Sequence, residues 1–469
     1  MSDILTYLYI VFAIIFFFSL AVGVHEWGHM LAARWRGLKV ERFSIGFGPP
    51  LVTWRRNGID YAICSIPLGG YVALPQMAPM EAIEGETESK RDELPPITPV
   101  DKIIVAFAGP LFSFLLAVGL SLIVWNVGVP ADKSDFITTI GYVDPSMPAA
   151  KAGLQEGDKI IAIDGLKVRK WRQVMLNIVL GTGKDVNVTI ERDGMVKTIP
   201  VTPSRENEDR LRRIGISPAM TFVVGKLIKN SPFAVAGLKP GDQIVSLDGK
   251  PIENYISFVD LTRAKVDQSI PIVVKRGTQT IDAMVIPRKA KGTEQVLLGT
   301  IEFKSEAYVD YPTPVQQISD IIYQTKRILV ALFTPGGGID PSHLSSAVGI
   351  FDAYSQMVKY DIRLAIWFSV LFNTSLAIFN LFPLPVLDGG HIVLAIIEKI
   401  RGRAINIKIL SAIQTVFVVM LLGLFVYVTF FDVKRLARRQ QQEELVKEEE
   451  KRVIEFNAPE YYNNTTPQS

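Results

Sequence analysis

The sequence predicts a polytopic α-helical membrane protein with four transmembrane helices, a membrane-associated β-hairpin after the first, and a duplicated α+β module between the second and third. Three observations predict it. Four long runs carry no charged side chain: residues 4–24, 103–129, 364–387 and 409–431. Residues 148–165 recur at 232–249, an offset of 84. Two β-like runs flank a polar turn between the first two apolar stretches. Bulk composition agrees, at 48% hydrophobic and 21% charged with a mean hydropathy of +0.25. Those values exclude a disordered chain, a fibrous repeat and an ordinary polar soluble enzyme. A net charge of +3, from 50 Lys and Arg against 47 Asp and Glu, gives no basis for nucleic-acid binding. Cys64 is the lone cysteine, which excludes an intrachain disulfide, a zinc finger and an iron–sulfur cluster.

Residues 1–34 form the first span, since about 20 apolar residues cross a bilayer core. The alternative is a signal peptide, but the run has no basic leader and passes into His25-Glu26-Trp27-Gly28-His29 without a small-residue cleavage site, so it is read as a membrane span. Basic residues begin only at Arg34 and continue with Arg36, Lys39, Arg42, Arg55 and Arg56, which puts the N-terminus outside and residues 35–100 in the cytoplasm. Within that segment, Phe43–Pro50 and Tyr61–Pro67 read as strands around Arg55-Arg56-Asn57-Gly58. The second helix, 101–129, returns outward, so 130–362 is extracytoplasmic. The third, 363–398, comes back to a basic inner turn at 399–408, and the fourth, 409–432, exits again. Parity then places the tail 433–469 outside, against the preference of Lys434, Arg435, Arg438 and Arg439 for the cytoplasm; parity is followed because the first helix usually dominates. The end of the tail reads as a charged helix fading into disorder.

The extracytoplasmic repeat divides into modules at 130–219 and 220–300. Of the 18 aligned positions in Pro148–Gly165 and Pro232–Gly249, ten are identical. Each copy reads as a short glycine-capped helix, a Gly-Asp turn, an alternating strand and an Asp-Gly hairpin. Later strands match too, Val186–Arg192 beside Ile270–Arg276. The pattern A-G-L-x-x-G-D-x-I-x-x-I/L-D-G resembles tandem bacterial PDZ domains. PDZ domains bind extended peptides by strand addition, and the alternative is that these copies are spacers or size filters that bind nothing. Residues 301–362 link them to the third span through an amphipathic helix, Val315–Phe333, ended by Gly336-Gly337-Gly338.

The chemistry is concentrated in few residues. His25 and His29 sit at i and i+4, which puts both imidazoles on one helix face and able to meet one ion, with Glu26 placed to take a proton from metal-activated water. Ionisable groups in an otherwise apolar span are expensive and are read as functional. Zinc needs a third ligand and an open position. Asp388 is the sole carboxylate between Leu364 and Ile397, and Pro383 and Pro385 break the helix just before it. Both sites fall toward the cytoplasmic ends of their spans. His391 is the rival ligand and otherwise a packing residue, while His343 lies on the other side by parity.

These residues resemble the site-2 protease family of intramembrane zinc metalloproteases, in its bacterial sigma-E-regulating branch with tandem PDZ domains. The marks are H-E-x-G-H, F-S-I-G-F-G-P, A-G-P opening the second span, and N-x-x-P-x-P-x-L-D-G-G in the third, over about residues 1–432. The resemblance implies one catalytic Zn2+ on His25, His29 and Asp388, Glu26 as general base, and Asn380 near the scissile carbonyl. It also implies substrate contacts from Pro383 and Pro385 and from the hairpin residues Gly46, Phe47, Gly48, Ile63 and Ser65, with the hairpin edge holding unwound substrate. The substrates it implies are single-span membrane proteins of the bacterial inner membrane, namely an anti-sigma factor already cut outside and signal-peptide remnants. PDZ modules in the periplasm would make peptide or ectodomain contacts and exclude uncut ectodomains, with the active site near the cytoplasmic side. Ser113 and Ser375 stand where relatives carry asparagine, so those roles do not transfer. Two other classes compete: a non-proteolytic membrane PDZ adaptor, against which Glu26 and Asp388 stand, and a metal transporter, against which stand the repeat and only four spans.

Overall fold

Uninterrupted apolar runs leave the backbone no partner but itself, and the computed structural model accordingly begins with a 33-residue helix, α1 (Asp3–Trp35). The structure describes residues 3–77, 94–206, 211–291, 294–303, 307–335, 337–403, 405, 407–451 and 456. Strands β1 (Arg42–Arg56) and β2 (Ile59–Ala73) follow, and then α2 (Pro99–Val127), which starts at a capping box made by Thr98 and Asp101. Contacts divide the chain into two units. One holds residues up to Pro130, Val309–Leu329 and Asp340–Ala437; the other is built on Ala131–Tyr308 with Val330–Ile339.

The hairpin is longer than its apolar runs suggest and folds back on itself. Asn57 and Gly58, at φ 53° and 77°, make the tight turn. Beyond it Val52–Arg56 pair antiparallel with Ile59–Ile63. Phe43 pairs on one side with Tyr61 and on the other with Val72, and Ser44 likewise with Ala62 and Tyr71. Two strands therefore make a four-segment sheet in which Gly70–Ala73 is an edge.

The remaining helices of the first unit are α8 (Ala347–Tyr360), α9 (Ile362–Asn380), α10 (Asp388–Arg401) and α11 (Ile407–Lys451). The charge-free run 364–387 is not one helix. It stops at Asn380 and restarts at Asp388, because Pro383 and Pro385 cannot donate backbone hydrogen bonds. Among the described residues four helices are long and apolar enough to cross a membrane: Ile4–Trp35, Pro99–Val127, Ile362–Asn380 and Lys408–Gln442. α1, α9 and α10 all pack on α2, and α8 packs on α1 and α9. Phe17, Phe18, Tyr354 and Ala365 form one apolar knot between them, within which the Tyr354 hydroxyl meets Ser369 Oγ at 2.7 Å. Lys102 of α2 and Glu398 of α10 pair at 2.5 Å at the far end.

In the second unit, every helix and strand from 148 to 201 recurs 84 residues later. α3 (Pro148–Lys151), β5 (Lys159–Ile163), β6 (Leu166–Lys167), α4 (Trp171–Val179), β7 (Val186–Arg192) and β8 (Met195–Val201) correspond to α5 (Pro232–Val235), β11 (Gln243–Leu247), β12 (Lys250–Pro251), α6 (Tyr255–Ala264), β13 (Ile270–Arg276) and β14 (Gln279–Val285). Each copy has its own core, one around Ile140, Ile160 and Ile190 and one around Phe222, Ile244 and Val274. Each also has the same clamp. Arg192 gives Nε to Asp158 and Nη2 to the Gly153 carbonyl, and Arg276 repeats this on Asp242 and Gly237. The flanking strands differ: β4 (Ile140–Val143) pairs with β9 (Ile216–Pro218), whereas β10 (Phe222–Val224) joins β11 and β17 (Ile301–Phe303) in one sheet. The amphipathic helix expected at Val315–Phe333 is α7 (Pro314–Phe333). Gly336 and residues 452–455 and 457–469 of the tail lie outside the described residues.

Candidate metal centre

One helical turn separates His25 from His29, so α1 presents both rings to α2. Two glycines allow the close approach. A Cβ on Gly28 would lie 2.6 Å from the Ala108 carbonyl oxygen, and one on Gly109 would lie 2.2 Å from His29 Nε2. His29 Nδ1 donates to the Val105 carbonyl at 2.8 Å, which fixes the tautomer and leaves the Nε2 lone pair free. His25 Nδ1 is held in the same way at 3.0 Å by Ser113 Oγ, a fully buried hydroxyl.

The third group arrives from the helix break. Residues 381–387 turn sharply, and α10 opens with Asp388. Gly389 and Gly390 let the turn fold onto the new helix, since a Cβ on either would meet the carbonyls of Leu381 or Leu384 at 2.2 and 2.0 Å. The two oxygens of Asp388 then divide between the histidines, Oδ2 at 3.3 Å from His25 Nε2 and Oδ1 at 3.4 Å from His29 Nε2. The two Nε2 atoms are 3.2 Å apart.

Those spacings test which ion fits. Ligands held at about 2.0–2.1 Å in a tetrahedron stand roughly 3.3–3.4 Å from one another, the zinc geometry. Octahedral magnesium at about 2.0–2.1 Å would set neighbouring ligands roughly 2.9 Å apart, and calcium, at about 2.3–2.6 Å, takes six or more oxygens. Among the described residues, His25, His29 and Asp388 are the group of ligand atoms close enough to share an ion, and their nitrogen-rich donor set suits zinc. Three protein ligands leave the fourth tetrahedral position open.

His25, His29 and Asp388 line a cavity of about 260 Å³. Glu26, Asn380 and His391 line it, together with the edge segment Gly69–Val72. Gly70 lies so close that a Cβ there would be 3.1 Å from Glu26 Cγ and 2.6 Å from the Ser44 carbonyl. Of the residues singled out from the sequence, His25, Glu26, His29, Asp388 and Asn380 are thus brought together. Gly46, Phe47, Gly48, Ile63, Ser65, Pro383 and Pro385 do not line this cavity. The prolines end α9 and release Asp388, and Gly46 and Gly48, at φ 88° and 84°, make the irregularity that divides β1. Phe47 stands one layer behind, its ring stacked on Tyr71 at 6.3 Å and 9°. Sequence reasoning missed Val105 and Gly69–Val72, and it set Ser113 apart as a departure from the motif without giving it a role. Only the Gly69-Gly70 pair ahead of Tyr71 hinted at a close backbone approach.

The profile of peptidase family M50 matches residues 12–424. A Neisseria meningitidis protein named as a zinc metalloprotease is 31% identical over 450 residues, 90% of this chain and 98% of its own. The regulator of sigma-E protease of Escherichia coli is 28% identical over 433 residues, 86% of this chain and 94% of its own. A solved PDZ domain from Listeria monocytogenes aligns with 19% of this chain and 93% of itself, at 21% identity and a TM-score of 0.16.

Proposed function

Because the chain belongs to peptidase family M50 and is a membrane zinc metalloprotease, we propose that it hydrolyses a peptide bond inside the membrane segment of a single-span protein, using His25, His29 and Asp388 as zinc ligands and Glu26 as general base. The observation that carries the residue assignment is the convergence of two imidazole Nε2 atoms, 3.2 Å apart, on the two oxygens of Asp388 at 3.3 and 3.4 Å, with Glu26 lining the same cavity. A zinc ion there acts as a Lewis acid and lowers the pKa of water. Glu26 takes the proton as the water oxygen attacks the carbonyl carbon, and returns it to the amine nitrogen as the C–N bond breaks. Asn380, on the cavity wall at the end of α9, orients the substrate backbone.

A helical peptide bond is closed to attack and must first be drawn out as a strand. The sheet edge Gly70–Ala73 lies beside Glu26, which supports strand addition there and not at Gly46, Phe47, Gly48, Ile63 and Ser65, the hairpin contacts that the resemblance implies. Substrates of this reading are an anti-sigma factor whose outer part has already been cut, and signal-peptide remnants, in a bacterial inner membrane. The duplicated modules act as periplasmic PDZ domains that hold back uncut ectodomains, and the catalytic cavity lies toward the cytoplasmic side. A non-proteolytic adaptor is disfavoured, since it has no use for tethered histidines around a half-buried carboxylate.

Cleavage of a tagged single-span reporter with a truncated outer domain, by wild type and by Glu26→Gln, tests the reading. The variant keeps its zinc and loses cleavage. Equal cutting by both would remove Glu26 as the base.

A further inference from the structure

Four histidines occur in the chain, and three have their rings engaged. Nδ1 of His25 meets Ser113, Nδ1 of His29 meets Val105, and Nδ1 of His343 accepts from the Asp340 backbone. His391 is different. It sits three residues after Asp388 and so on the same face of α10, it lines the cavity with Glu26 and Asn380, and among the described residues neither ring nitrogen has a hydrogen-bond partner. It stands outside the ligand group, and both oxygens of Asp388 are already taken up by His25 and His29.

Resting on the protease reading above, we propose that His391 is a catalytic residue that donates an N–H hydrogen bond to the oxygen of the scissile carbonyl. When water attacks, its oxygen bonds to the carbonyl carbon, its proton passes to Glu26 and the π pair moves onto the carbonyl oxygen. That oxygen is where charge grows, and a donor already aimed at it stabilises the transition state more than the ground state. On collapse the C=O re-forms, the C–N bond breaks and the amine nitrogen receives the proton held by Glu26. His391 keeps its own proton throughout. The helix turn that delivers Asp388 thus delivers a donor with it.

The test uses the full purified chain in detergent with the single-span reporter, comparing wild type, His391→Ala and His391→Gln for kcat, KM and bound zinc. Loss of one such donor typically lowers kcat by about 10²-fold. His391→Ala should show a loss of that order, with KM within about twofold and zinc stoichiometry unchanged. His391→Gln, which keeps an N–H donor, should recover about tenfold of it. A fall in bound zinc would make His391 a ligand, and an unchanged kcat would make it part of the wall; either overturns the proposal. So would equal losses in both variants. Glu26→Gln in the same series separates the two claims: its cutting at the wild-type rate would sink the base assignment and leave the His391 comparison standing.

Discussion

Ser113 Oγ lies 3.0 Å from Nδ1 of His25, tying the middle of α2 to the first histidine of α1. The hydroxyl is fully buried. Partners of this kind typically contribute 10–100-fold in metal affinity, so about that loss is expected for Ser113→Ala. Chelator competition on the purified protein measures it. An unchanged zinc affinity would mean that packing alone orients His25.

Gly109 sets helix stability against site geometry. Alanine gains about 1 kcal/mol over glycine in a helix interior. Here, however, the added Cβ would stand 2.2 Å from His29 Nε2. Gly109→Ala is therefore expected to lower zinc content and activity, with the helix gain offset by displacement of the His29 ring and by loss of the ion, so that the melting temperature does not rise. Zinc analysis and thermal unfolding on one preparation check both halves, and retention of zinc would refute the contact.

Gly70 makes the matching case on the base. A Cβ there would press on Glu26 Cγ at 3.1 Å and on the Ser44 carbonyl at 2.6 Å. In Gly70→Ala, zinc should stay while kcat drops at least about tenfold, because displacement of a catalytic group by as little as 1 Å costs on the order of 10²-fold. A variant with full kcat would separate the edge strand from the chemistry.

These variants mark how far the sequence could be read. His25, Glu26, His29 and Asp388 were legible because charge is scarce in apolar spans, so each ionisable residue there needs a reason. Asn380 was carried by its motif. Ser113 stood out as a departure from the motif, but its role was not legible, since a serine in a span shows no partner until the helices are packed. Gly69–Val72 were hidden because the double pairing of Phe43, with Tyr61 and with Val72, decides which segment becomes the edge. Periodicity reports a strand's faces and says nothing of its neighbours. The repeat was the opposite case: a local pattern fixed local structure, and Pro148–Gly165 and Pro232–Gly249 form matching elements.

The clamp in the second copy gives a pH dependence. Asp242 is almost fully buried, and hydrogen bonds from Arg276 hold its carboxyl below the usual carboxylate range. A lowered folded pKa favours the folded state above the unfolded value of about 4. That contribution is lost as pH falls through the folded value. Hydrogen exchange of β13 amides in the intact protein should therefore accelerate below about pH 4, and Asp242→Asn should remove that step. Asp242→Ala should cost the copy about 2–4 kcal/mol, since Arg276 and the Lys239 amide lose their acceptor. An acid profile unaltered by Asp242→Asn would place the sensitivity elsewhere.

The tail carries the last prediction. Its basic residues would choose the cytoplasm by charge, and helix parity sends them outside. Asp432 accepts from the Ser346 amide at 2.6 Å, and Arg435 donates to the Leu344 carbonyl at 2.7 Å. Gly349 makes room, since a Cβ there would stand 2.8 Å from the Asp432 carboxylate. The base of the tail therefore shares one end of the helix bundle with the start of α8, and the local contacts of Asp432 and Arg435 agree with parity. Both segments should react from the same side. With Cys64→Ser removing the lone thiol, single cysteines at Pro341 and Gln440 should both label with an impermeant maleimide in intact spheroplasts, and one at Arg403 only after permeabilisation. Labelling of Gln440→Cys solely after permeabilisation would show that α11 does not carry the chain back across, and that the charge rule had outweighed these contacts.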